Sequence, residues 1–300
     1  MLKIGIIGLG EIATKAYLPV MSGKDLEVHL FTRDENKLKE LASLYRFHNS
    51  HDSLASLINS GIKAAFVHSS TSSHFSIVQQ LLQSNIHVYV DKPVTYDYGS
   101  TSELLALAEK RGLVLMAGFN RRYAPAYADL RRLKSINMII MQKNRKSLPG
   151  EVRTFVFDDF IHVIDTLLFL FPNPVEKMSV TGKKSKGLLD HAVIQFHSSD
   201  GTTAVGAMNR DSGTVEEKLE VFTPEEKWVV TNVTETIIHK DSHATRRAIN
   251  DWESTLYKRG FVQITDAFLE MVVSSSSPRQ LHQDILGTHE VCEQVVRELL

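Results

Sequence analysis

From Leu2 to about Gly118 short apolar runs alternate with amphipathic segments, and that alternation constrains the fold more than any other feature of the chain. The runs Lys3–Gly8, Val28–Thr32, Ala64–His68, His87–Val90 and Val114–Ala117 read as strands, with helical spacing between them. Strands separated by helices pair in parallel through right-handed crossovers, which predicts a doubly wound α/β sheet. The helix punctuation agrees. Asp34 is placed to cap Glu35–Tyr45, Asp52 to cap Ser53–Asn59 before Gly61, and Tyr98–Lys110 stops at Gly112. Pro19 lacks the N–H that a helix interior needs, so the first helix is expected to bend or restart near Leu18.

Beyond Gly118 the pattern changes. Longer alternating stretches, His191–His197, Thr203–Met208, Lys218–Phe222 and Trp228–Thr231, with turn chemistry at Ser198–Gly201 and Thr223–Glu226, predict a large, mostly antiparallel sheet. A helix at Phe160–Phe171 precedes that sheet, and helices at Val262–Val273 and Asp284–Leu299 follow it. Ser274–Pro278 reads as a surface loop. A chain of 300 residues outgrows one hydrophobic core, so two domains are expected: 1–119, and an α+β domain over 120–300 whose last helix packs back on the first.

The bulk chemistry excludes several partners. A net charge of -1 and a pI near 6.9 give no field to gather nucleic acid or an anionic membrane. Cys292 stands alone, which rules out an intramolecular disulfide, and MLKIGIIGL enters a strand rather than a signal peptide. The longest apolar stretch, Val163–Phe171, carries Asp165 and falls well short of the roughly 20 residues that span a bilayer. A soluble, cytoplasmic protein acting on a neutral small molecule is expected.

Gly8-Leu9-Gly10-Glu11-Ile12-Ala13 lies between the first strand and the first helix. Gly8 would allow the tight turn, Gly10 would let backbone approach a pyrophosphate, and Ala13 would keep helix and strand close. A phosphate would rest against the helix N-terminus, with Gly8, Gly10, Glu11 and Ile12 as contacts. The second strand ends Phe31-Thr32-Arg33-Asp34. A free ribose 2′-hydroxyl usually meets an acid there, whereas a 2′-phosphate suits a hydroxyl and a cation, so Thr32 and Arg33 favour NADP, with NAD as the alternative if Asp34 faces the ribose. Further along, strand Ile86–Val90 runs into Asp91-Lys92-Pro93. Ligands of open parallel sheets bind beyond strand carboxyl ends, where Lys92 falls.

The glycine fingerprint, Ser69-Ser70-Thr71-Ser72-Ser73-His74, Asp91-Lys92-Pro93, Gly118-Phe119-Asn120-Arg121-Arg122-Tyr123 and Asp158 to Asp165 occur in the order seen in the Gfo/Idh/MocA oxidoreductases, which the chain resembles over nearly its whole length; it looks closest to the MviM-like branch. The resemblance implies a Rossmann-type NAD(P)-binding domain, then an α+β domain whose open sheet forms a homo-oligomer. It implies catalytic roles for Lys92, Asp158 and His162. Asp91 stands where the family more often has glutamate, and Phe160 where it has glycine. The resemblance also places Ser69, Ser70, Thr71, His74 and Asp91 on the cofactor side, and Asn120 and Arg121 toward the nicotinamide. Trp252, Tyr257 and Arg259 resemble elements that close over the cleft, although Trp252 suits an interface or a core equally.

The residues themselves support such chemistry. Asp158, His162 and Asp165 share one helical face. Imidazole titrates where a general acid/base must, Asp158 would orient it, and the Lys92 ammonium would stabilise a developing alkoxide. Asp158 or Asp159 serving as a helix cap, and His162 as a satisfied core residue, remain the plain alternatives. No further ligand cluster accompanies these side chains, so no metal is expected. The expected activity is interconversion of a hydroxyl and a carbonyl on a sugar, inositol or related polyol. A regulatory protein that senses NADP(H) or sugar without turnover is the competing class, and dihydrodiol or imine reduction would keep the cofactor and change the substrate.

Overall fold

A computed structural model of the chain describes residues 1–274 and 278–300, so the loop expected over Ser274–Pro278 lies largely outside the described residues. Two compact units divide the chain: Met1–Gly118 with Phe261–His289, and Phe119–Gly260 with Glu290–Leu300. The first unit thus takes in Phe261–His289, which contains the helix Phe261–Ser274 and the first half of the helix Arg279–Leu299.

The first unit is a six-stranded parallel sheet of β1 (Leu2–Ile7), β2 (Leu26–Phe31), β3 (Asn49–His51), β4 (Ala64–Val67), β5 (His87–Val90) and β6 (Leu115–Ala117), in the order β3-β2-β1-β4-β5-β6. All four residues of β4 are buried, as a parallel strand covered on both faces requires. The strand order reverses between β1 and β4, and the crevice beyond their carboxyl ends is the binding position of doubly wound sheets.

Asp34 caps Glu35–Tyr45 through a bond from Lys37 N at 3.0 Å, and Asp97 caps Tyr98–Lys110 through Ser100 N at 2.7 Å. The cap expected of Asp52 belongs instead to Ser53. Its extended backbone lets its hydroxyl accept from Ser56 N at 3.1 Å, and the helix runs Leu54–Asn59. The first helix widens into a π turn over Ala13–Tyr17 and restarts as an α-helix at Leu18 with Pro19 in its first turn. The wide turn accommodates the N–H that proline lacks.

The second unit holds β7 (Met138–Asn144), β8 (Lys177–Ser185), β9 (Leu188–His197), β10 (Thr203–Asn209), β11 (Glu216–Phe222), β12 (Lys227–Thr231), β13 (Glu235–Lys240) and β14 (His243–Arg247), in the order β14-β13-β12-β11-β7-β10-β9-β8. Every pairing is antiparallel except β7 with β10. The helix expected at Phe160–Phe171 starts earlier, as a turn at Val152–Phe155, a π segment at Val156–Phe160 and an α-helix at Ile161–Leu170. Gly206 in β10 lets this helix come close: a Cβ there would lie 2.7 Å from side-chain atoms of both Val163 and Leu167. Among the described residues no helix is long and apolar enough to cross a membrane.

Candidate active site

The carboxyl ends of β1, β2 and β4 enclose a cavity of about 420 Å³ whose lining includes Gly8, Gly10, Thr32, Arg33, Ser69 and Ser70. Gly8 has φ +83°, and a Cβ on it would lie 2.6 Å from Ser69 N, so both conformation and space demand glycine. Gly10 differs: the nearest atom to a Cβ there is His68 O at 3.7 Å, so nothing in the chain itself fills that space. Ala13 is buried against the sheet, while Glu11 turns outward to pair with Lys15 and Ile12 is exposed. The group that fits this cradle is a pyrophosphate resting on backbone at a helix N-terminus. At the tip of β2 Thr32, Arg33 and Asp34 line the cavity, with Arg33 and Asp34 exposed and Asp34 Oδ1 accepting the cap bond from Lys37 N.

Two side chains expected to touch a cofactor support the cradle from behind. His74 is buried, with Nδ1 3.0 Å from Pro93 O and Nε2 3.0 Å from Ser69 O; burial lowers its pKa and favours the neutral ring, which donates to one of these carbonyls. Asp91 turns to His68 Nδ1 at 2.9 Å. Neither belongs to the cavity wall, and Thr71 is the first residue of the helix Thr71–Gln83.

Lys92 sits on a short loop fixed at its base. The Lys92–Pro93 peptide is cis, and Val94 N donates to His289 Nε2 at 3.1 Å, while His289 Nδ1 donates to Ile285 O at 2.8 Å. Complete burial pushes His289 down to about 4, so the ring is neutral and its tautomer is set by these two bonds.

In the second unit Asp158 and Asp159 lie in the π segment and His162 in the first turn of the following α-helix. Asp165 is buried and held by Arg122 at 2.8 Å, which makes it a structural ion pair. The partner on His162 Nδ1 is Arg121, whose Nη1 lies 2.7 Å away. Arg121 is therefore not an outward cofactor contact: its Nε and Nη2 grip the Glu217 carboxylate at 2.7 and 2.5 Å, and Glu217 also accepts from Tyr127 OH at 2.9 Å. Asn120 is likewise committed, its Nδ2 donating to Arg259 O at 2.8 Å. Trp252 is 96% exposed, which removes the core alternative.

Below this group lies a buried charge network. Lys143 Nζ meets Asp159 Oδ1 at 2.9 Å, and Arg210 and Arg145 approach the same carboxylate at 3.4 and 3.5 Å. Burial, then the charge of Arg121, pushes Lys143 down to about 7. Burial alone would raise Asp159 and Glu217. Lys143 with the two arginines outweighs it at Asp159, and Arg121 with Lys143 at Glu217, so both sit at about 2. Sequence reasoning passed over Lys143 and Glu217, yet a signal existed. They are direct partners across β7 and β11, on the register that Ile139, Met141, Leu219 and Val221 fill with apolar side chains. A charge on the buried register of a strand needs a partner, and the partner marks the site.

Two family models match the chain: an oxidoreductase family with an NAD-binding Rossmann fold over residues 2–119, and a YceM-like C-terminal domain over residues 125–241. YceM of Salmonella typhimurium, named as an oxidoreductase, is 34% identical over all of this chain and 98% of its own length. A Gfo/Idh/MocA family oxidoreductase from Vibrio cholerae superposes with a TM-score of 0.94 at 30% identity, covering 100% of this chain and 98% of the other. The dehydrogenase MviM from Clostridium difficile gives 0.93 at 30% identity, with 99% of both chains covered. More distant relatives are named UDP-N-acetylglucosamine 3-dehydrogenase, from Acidithiobacillus ferrooxidans, at 25% identity over 70% of this chain and 67% of its own length, and myo-inositol 2-dehydrogenase, from Thermotoga maritima, at 23% over 79% and 77%.

Proposed function

Because the chain belongs to the Gfo/Idh/MocA family of oxidoreductases, we propose that it binds NADP(H) in the Gly8–Gly10 cradle and interconverts a hydroxyl and a carbonyl on a sugar, inositol or related polyol. The space left open over Gly10, at the carboxyl ends of strands on either side of the order reversal, carries this reading. Gly8, Gly10, Ser69 and Ser70 would hold the pyrophosphate side, with Thr32 and Arg33 at the ribose phosphate; the exposed Arg33 guanidinium beside the Thr32 hydroxyl in the cavity lining supports NADP over NAD. A nicotinamide bound there would supply hydride transfer. Lys92, Asp158 and His162 are the reacting set on the protein side. The relatives named for nucleotide-sugar and inositol dehydrogenation support the substrate class. A homo-oligomer through the outer face of the eight-stranded sheet, where Ile140, Val193 and Val205 are half-buried, completes the reading.

Fluorescence titration with NADPH and NADH, then a sugar and polyol panel followed by nicotinamide absorbance, tests the proposal. NADPH binding with turnover of at least one polyol or its ketone is expected, and Lys92→Met and His162→Ala should each lower kcat with NADPH affinity retained. No affinity for either nucleotide would overturn it, while binding without turnover across the panel would indicate a sensing protein.

A further inference from the structure

We propose that Arg121, anchored by Glu217, is a positioning residue that keeps His162 neutral with its proton on Nε2, so that His162 hydrogen-bonds the reacting oxygen without carrying its proton. This rests on the oxidoreductase reading above and refines the roles within it. A guanidinium has only donors, so at 2.7 Å the Arg121 Nη1–H must give to Nδ1, and Nδ1 must present its lone pair. The single proton of the neutral ring then resides on Nε2. A second proton at Nδ1 would set an imidazolium N–H against a guanidinium N–H, two like charges in contact.

Arg121 has little freedom to withdraw. Its side chain is 11% exposed and that of Glu217 8%, and the fork-to-fork pair is closed from the other side by Tyr127. Of the charged groups on the elements packed around His162, Arg122 is committed to Asp165 and Lys143 to Asp159, while β10 carries none. Asp158 precedes His162 on its own helix.

A ring in this state has no lone pair at Nε2 to act as base, and loss of its Nε2 proton would leave an imidazolate. In the oxidising direction, where a bound nicotinamide would take the hydride, the hydroxyl proton would have to pass to a base other than this ring, a part that falls to Lys92 under the reading above. In reduction the same base would return the proton while hydride is added to the carbonyl carbon.

The ¹⁵N-labelled full chain without cofactor tests the assignment through its histidine ring resonances, with His162 identified by its loss in His162→Gln. Nδ1 should resonate as an unprotonated acceptor and Nε2 as a protonated nitrogen, unchanged between about pH 8 and pH 6, where a free imidazole would titrate. In the double variant Arg121→Met/Glu217→Gln, which leaves no buried carboxylate unpaired, His162 should titrate like an ordinary imidazole. A proton on Nδ1 in the native chain, an imidazolium near neutrality, or identical titration in native and double-variant protein would overturn the proposal. Since no cofactor enters this measurement, a failed tautomer leaves NADP(H) binding standing, and absent NADP(H) binding leaves the tautomer standing.

Discussion

Gly8 and Gly10 stand two residues apart under different constraints. Gly8 needs its glycine for folding, because φ +83° and a backbone atom 2.6 Å from any Cβ leave no room for a side chain. Gly10 has room for a methyl within the chain itself, the nearest atom being 3.7 Å away. Gly8→Ala should therefore lower the melting temperature markedly. Gly10→Ala should leave it nearly unchanged while weakening NADPH binding by about an order of magnitude or more, since one misplaced contact in a pyrophosphate cradle removes about 1.4 kcal/mol or more. Loss of stability in Gly10→Ala with normal NADPH affinity would contradict this division. Arg33 offers a second residue-scale check. Exposed at the cavity wall with its acidic neighbour engaged in a cap, it has no visible structural task, so Arg33→Ala should raise KM for NADPH far more than for NADH. Equal effects on the two cofactors would remove the 2′-phosphate argument.

At the scale of elements, what aims Lys92 is the pair of helices that hold its loop. His74 from Thr71–Gln83 bonds Pro93 O, and His289 from Arg279–Leu299 accepts from Val94 N. Replacing His289 by leucine keeps the bulk and deletes the acceptor, leaving a buried N–H unsatisfied at a cost of about 1–3 kcal/mol. His289→Leu should lower the melting temperature by several degrees and reduce kcat with NADPH affinity kept, as steady-state kinetics and a fluorescence titration would show; unchanged kcat would mean that the loop is held elsewhere. The His289 contact is not announced in sequence, because a histidine in a helix looks like any half-apolar residue until the chain returns to it from 195 positions away. Local periodicity, by contrast, reached the parallel sheet, the cap at Asp34 and the break at Leu18, since each is decided within a few residues. It missed β3, three polar residues at a sheet edge, the edge strands β8 and β14, which lack an inward apolar register, and also β7 and β13. At the candidate site it found the loops that bear glycine, serine and lysine. It could not find the Arg121–Glu217 clasp, which joins side chains 96 positions apart.

At the scale of the whole molecule, the two units hide their charges differently and should fail differently in acid. The first unit buries a neutral His289 held down to about 4, below the roughly 6.5 of a free imidazole. The unfolded chain binds the extra proton more readily across that interval, so this contribution is complete above about pH 6.5 and lost as pH falls toward 4. The second unit keeps Asp159 and Glu217 at about 2, below the roughly 4 of free carboxyls. Their contribution is intact above about pH 4.5 and drains away only as pH falls toward 2. Lys143 acts on the alkaline side: its depression to about 7 makes stability rise between pH 7 and roughly 10.5, where the unfolded chain holds a proton that the folded chain has released. Hydrogen exchange read by mass spectrometry along a pH series should therefore show β5 and β6 losing protection near pH 5 while β7 and β11 remain protected until below pH 4. His289→Leu should flatten the first transition and leave the second in place. Simultaneous loss in both sheets, or earlier loss in β7 and β11, would show that the buried histidine does not govern the acid response of the nucleotide-binding unit.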